Sequence, residues 1–122
     1  MNRFVKVHGP TLLCAFLIFL FSSIPSLEAP DIGFSYQDKL AHILEFGIFG
    51  FFLQRSFHHL SGGRFEGYIL AFAMGTAYGG LDEIHQSFVE GREASFGDFL
   101  ADATGILLSQ ITFWIARRIK LF

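Results

Sequence analysis

Charged residues are scarce in this chain. Asp, Glu, Lys and Arg make up 16% of its 122 residues, where a soluble domain carries about a quarter. Apolar residues account for 52%, come in long blocks and raise the mean hydropathy to +0.45. Such a deficit of charge argues against an ordinary soluble domain. Neither sign prevails: a net charge of −2 supplies neither the basic surface that nucleic acid demands nor an acidic tail. Cysteine is limited to Cys14, which lies in an apolar run and can form no internal disulfide. There is no Ser-His-Asp spacing, no cysteine placed as a nucleophile and no glycine-rich phosphate loop, so the usual signatures of acyl transfer and nucleotide binding are absent.

Hydrocarbon is abundant, with seventeen phenylalanines. Four runs, residues 10–27, 38–57, 66–88 and 97–116, approach the ~20 apolar residues that cross a bilayer. The chain therefore reads as one all-α domain over 1–122, a polytopic integral membrane four-helix bundle. For the first run a cleaved signal peptide is the rival reading, because Arg3 and Lys6 precede the apolar core, yet no A-x-A pattern follows. Pro25 is expected to kink or close the first helix. Residues 28–37, with Pro30 and Gly33, read as a loop.

Basic residues set the expected orientation. Arg3 and Lys6 precede the first run, Arg55 and Arg64 fall in the middle loop, and Arg117, Arg118 and Lys120 follow the last run. The other two loops offer only Lys39 and Arg92, beside Glu28, Asp31, Glu90 and Glu93. By the positive-inside rule both termini and the middle loop are cytoplasmic. His58 and His59 then fall in that inner loop as solvated surface residues. The remaining ionisable groups gather at the outer boundary, leaving the cytoplasmic halves nearly pure hydrocarbon. A proton or ion conduit needs polar groups through the full depth and is not expected.

At about 100° per residue, positions three, four or seven apart share a helix face. Asp38, His42 and Glu45 form one such row, Tyr78, Asp82 and His85 with Gln86 a second, and Asp98, Asp102, Gly105 and Ser109 a third. Glu83 alone points away from its neighbours. Lipid cannot satisfy polar rows, so they should face the bundle interior or a wet cavity. Ala71, Gly75 and Gly79, and Ala101, Gly105 and Ser109, repeat every four residues and allow close helix approach. Spans three and four are therefore expected to pack together, with Asp82 near Asp98 and Asp102. Ser95, three residues before Asp98, suits a helix cap.

The candidate ligand-binding set is Asp38, His42, Glu45, Asp82, Glu83, His85, Gln86, Arg92, Asp98 and Asp102. Within it His42, Glu45, Asp82, His85 and Asp98 offer the imidazole and carboxylate donors that divalent metals accept. His42-x-x-Glu45 inverts the Glu-x-x-His of four-helix di-iron proteins. The competing reading is a charge-compensated network in which Arg92 or Lys39 neutralises the carboxylates. General acid–base chemistry is a third, since carboxyl groups crowded at a low-dielectric boundary can hold protons at neutral pH. No catalytic residue is assigned, and no cofactor is expected unless the cluster takes a divalent metal.

Taken together, Asp38-Lys39-x-x-His42-x-x-Glu45-Phe46, Asp82-Glu83-x-His85-Gln86-x-Phe88, Gly91-Arg92-x-Ala94-Ser95 and Asp98-x-x-Ala101-Asp102-x-x-Gly105 resemble, in order and spacing, the VanZ-like family. The likeness runs from Ser22-Ser23-Ile24-Pro25 to the fourth span. It implies a small multi-pass protein of the bacterial cytoplasmic membrane and cell envelope, whose namesake accompanies low-level resistance to teicoplanin. It does not supply a mechanism. Two positions depart from the family pattern: Asp102 stands where Asn is usual, and Phe46 where Tyr is frequent. The leading expectation is a polar pocket at the outer face that binds an envelope lipid, a lipid-linked precursor or a lipophilic glycopeptide, with Arg92 pairing an anionic group. The alternatives are a membrane-embedded hydrolase or transferase on a lipid head group, metal-dependent or not, and a structural subunit with a membrane-protein partner or a second copy.

Overall fold

The computed structural model describes residues 1–27 and 36–121. The loop reading of 28–35, with Glu28, Pro30, Asp31 and Gly33, lies outside the described residues. Four helices follow one another: α1 (Arg3–Ser22), α2 (Gln37–Leu60), α3 (Glu66–Gln86) and α4 (Phe96–Arg118), with no strand among the described residues. At 1.5 Å per residue they are about 30–36 Å long, close to the ~30 Å of a bilayer's hydrocarbon. By length and composition α1 and α4 are apolar enough to cross a membrane. In α2 and α3 buried polar groups such as Gln54, Ser56, Asp82, Glu83 and Gln86 offset the apolar residues.

The first helix begins seven residues earlier than Pro10 and ends before Pro25, so the expected span 10–27 is corrected to 3–22. Pro10 sits inside the helix, where it has no N–H for the Lys6 carbonyl. Arg55 Nη1 donates to that carbonyl at 3.1 Å, and one turn on Thr11 Oγ1 bonds Phe52 O at 2.9 Å and Ser56 Oγ at 2.7 Å. The Arg55 side chain thus completes what the proline leaves open, and Thr11 ties α1 to α2.

Helices α2, α3 and α4 form the centre, and α1 lies against α2 and α3 without touching α4. The tightest approach joins α2 to α4: a Cβ on Gly105 would stand 2.5 Å from Ile43 O and 2.9 Å from Gly47 N. Gly105 and Ser109 of α4 therefore face α2, where the sequence had set them against α3; α3 and α4 nevertheless pack together as expected, with Asp82 near Asp102. Helix α3 closes the triangle through Gly75, set against Ile106 and Leu53, and Gly79, set against Asp102 and Phe46. Phe46, Phe49, Leu53, Ala71 and Ile106, with Ile18 of α1, make the core. Leu44, Ile48, Leu70, Leu107 and Ile111 remain exposed, the arrangement lipid rather than water rewards.

The half away from the carboxylates is not pure hydrocarbon, another correction. Thr11, Gln54, Ser56, Ser61, Ser109 and Gln110 are buried there, and Gln110 Nε2 donates at 2.7 Å both to Gln54 Oε1 and to Tyr68 O. The layer of Phe46, Phe49, Leu53 and Ile106 separates this group from the acidic end. The middle loop is also shorter than expected: α2 continues to Leu60, and Gly62 (φ +65°) and Gly63 (φ +84°) reverse the chain in backbone that L side chains rarely adopt. His58 is consequently not a solvated loop residue. Its ring packs on Phe113 at 5.3 Å between centroids, whereas His59 is exposed.

Candidate functional site

The N-terminal ends of α2 and α4 meet the C-terminal ends of α1 and α3 at one end of the bundle. Carboxylates in the first turns of α2 and α4 are favoured there by the helix dipoles. At the start of α4 the Ser95 Oγ accepts from the Asp98 backbone N–H at 2.9 Å, the cap expected from the sequence. Ser95 N in turn donates to Glu83 Oε2 at 3.2 Å and fastens α3 to the start of α4. Lys39, on the first turn of α2, holds Asp98 Oδ1 at 2.6 Å and Asp38 Oδ2 at 2.9 Å. One turn deeper, His42 Nδ1 bonds Asp102 Oδ1 at 2.8 Å, with Glu83 Oε1 at 3.9 Å and, from Nε2, Asp98 Oδ2 at 3.7 Å. Three helices thus place one imidazole among three carboxylates.

The α1–α3 side supplies a second set. Ser22 Oγ donates to Asp82 Oδ1, and Gln86 Nε2 bonds both Asp82 Oδ2 and Ser22 Oγ at 3.1 Å. His85 Nε2 meets Ser23 Oγ at 2.9 Å while its ring stacks on Phe19. These bonds fix the Asp82 carboxylate and direct His85 toward α1, away from the central carboxylates.

Of the residues picked out by sequence, His42, Asp82, Glu83, Asp98 and Asp102 come together, and Gln86 supports them. Glu83, expected to point away, is buried beside His42. Asp38 stays at the rim with its side chain 57% exposed. Glu45 is half-buried near Asp82 and His42, with no hydrogen bond to either. Arg92 Nη1 donates to the carbonyls of Phe21 at 2.7 Å and Ile24 at 3.3 Å, where it caps the end of α1. The α3–α4 loop reinforces this clamp, as Ser26 N bonds Glu90 O at 3.0 Å and Gly91 (φ +72°) leaves no room for a Cβ beside Ser26. Lys39, not Arg92, is the cation that pairs with the cluster. Ser22 and Ser23 were missed as site residues; their signal is two adjacent hydroxyls closing an apolar run.

Four carboxyl groups, Asp82, Glu83, Asp98 and Asp102, are buried here against one ammonium and one imidazole. Ligand atoms of His42, Glu83 and Asp98 lie within 4.8 Å of one another, as do those of Asp82, Glu83 and Asp102. On the flank, a groove lined by Gly80, Glu83, Ile84, Ser95, Phe96 and Phe99 sets an acidic group beside two aromatic rings. Chemically, the arrangement can accept hydrogen bonds, balance a cation or hold protons. No curated protein and no solved structure matches the chain. The VanZ/LLP1 family matches residues 8–117, most of the chain, and the protein belongs to that family.

Proposed function

We propose that the protein is a membrane-embedded factor that binds, at its extracytoplasmic end, the head group of an envelope amphiphile: a lipid, a lipid-linked precursor or a lipophilic glycopeptide. The observation that carries this reading is the convergence of His42 with buried Asp82, Glu83, Asp98 and Asp102 at one end of the bundle. Buried charge in a membrane protein is expensive and marks function by default. The groove beside Glu83 has the shape such a ligand needs, with a polar end at Glu83 and Ser95 and an apolar run along Phe96 and Phe99. Because carboxylates outnumber cations, the favoured head group is rich in donors, such as amines and sugar hydroxyls. Arg92, occupied with the end of α1, serves the site by holding its wall in place.

Profiling of envelope lipids and lipid-linked precursors in a deletion strain tests the reading. The deletion should change the level of one amphiphile class, the wild-type chain should restore it, and Asp82→Asn should not, although present in the membrane at the wild-type level. An unchanged profile in the deletion strain, or full rescue by Asp82→Asn, would remove the head-group reading.

A further inference from the structure

We propose that Asp82, Glu83 and Asp102 form a binding site for one hard divalent cation of the Mg2+, Mn2+ or Ca2+ type. The set differs from the one suggested by sequence: of His42, Glu45, Asp82, His85 and Asp98 only Asp82 stays, and Glu83 and Asp102 enter. Three features of the geometry select it.

One carboxylate oxygen from each of the three residues lies within 4.8 Å of the other two. Oxygens that share an ion at about 2.1–2.5 Å stand at most about 5 Å apart, so small side-chain adjustments suffice for coordination. Next, two oxygens of this group are buried without a hydrogen-bond partner, Glu83 Oε1 and Asp102 Oδ2. Their side chains are 9% and 0% exposed. Buried acceptors are nearly always satisfied, and each orphan identifies a place where a donor or an ion belongs. Finally, the remaining oxygens are held from outside. Ser22 and Gln86 fix Asp82, the Ser95 amide fixes Glu83 Oε2, and His42 fixes Asp102 Oδ1. Such outer partners orient ligands toward a metal.

The neighbouring group of His42, Glu83 and Asp98 is the weaker competitor. Lys39 already pairs with Asp98 at 2.6 Å, and its ammonium opposes a second cation at short range. Among the described residues no lysine or arginine forms an ion pair with Asp82, Glu83 or Asp102. The ligands are all carboxylate oxygens, which suit hard cations over zinc or copper. The site shares residues with the head-group reading but does not rest on it.

The test uses the full chain purified in detergent, stripped with EDTA and dialysed, with Mn2+ alone as the probe. Electron paramagnetic resonance of free Mn2+ should show saturable uptake of about one ion per chain, reversed by Mg2+ or Ca2+. Glu83→Gln and Asp102→Asn should each weaken uptake roughly tenfold or more, and Glu66→Gln, exposed at the opposite end of the bundle, should not. Should either substitution prevent folding, the wild-type chain still decides: Mn2+ should broaden amide resonances of residues 79–83 and 98–102 and spare residues 58–61. Absence of saturable uptake, undiminished uptake in both variants, or broadening elsewhere would overturn the site. No lipid enters the measurement, so its failure leaves the head-group reading standing, and failure of that reading leaves the metal measurement intact.

Discussion

Gly105 stands where α4 comes nearest α2, and the smallest change there tests how packing positions the site. A Cβ would meet the Ile43 carbonyl at 2.5 Å, and that carbonyl cannot swing aside as a side chain can. Gly105→Ala should therefore push the helices apart and lower stability by about 1–3 kcal/mol. Gly80→Ala, whose Cβ would find Phe99 at an ordinary 3.6 Å, should be near neutral; thermal unfolding in detergent reads both. Asp102 lies one turn before Gly105, so the same displacement should loosen its bond to His42. Much at this scale was legible. Rows three and four apart identified His42, Asp82, Asp98 and Asp102, because a helix repeats whatever it packs against. Glu83 was misread for a physical reason: α3 is buried on two sides, by α1 and α2 and by α4, so residues about 100° apart both point inward.

The unit of explanation for α1 is the helix together with the partner that completes it. A proline in mid-helix leaves the carbonyl four residues back without its N–H, which is why Pro10 read as a helix start. In the folded chain Arg55 serves the Lys6 carbonyl, so the helix runs through. Sequence spacing cannot reveal a donor supplied from another element. The two residues should be energetically coupled. Arg55→Ala should cost about 1 kcal/mol in the native background and clearly less beside Pro10→Ala, where the new N–H can take the carbonyl. A double-mutant cycle by thermal unfolding should give a coupling of roughly 0.5 kcal/mol or more, and strictly additive effects would refute the pairing. The small-residue stripe of α4 shows a similar limit. Its spacing disclosed that a helix could come close, and only the fold disclosed that the helix is α2.

Across the whole molecule the charge is polarised. Arg3, Lys6, Arg55, Arg64, Arg117, Arg118 and Lys120 stand at one end, seven of the nine basic residues. Among the described acidic residues only Glu66 shares that end. This pattern was fully legible in the sequence, because it needs only the order of helices and not their packing. By the positive-inside rule the orientation to expect has the acidic cluster facing out. Labelling decides the matter. In a background with Cys14, half-buried in α1, replaced by Ala, single cysteines at the exposed positions of Glu93 and Arg64 report on opposite ends. A membrane-impermeant maleimide added to intact cells should label Glu93→Cys at once and Arg64→Cys only after lysis. Equal labelling of both would point to a chain that does not span the membrane, and the reverse order would place the carboxylates in the cytoplasm. A head group in the outer leaflet could then no longer be the ligand, since among the described residues no acidic cluster stands at the basic end to receive it.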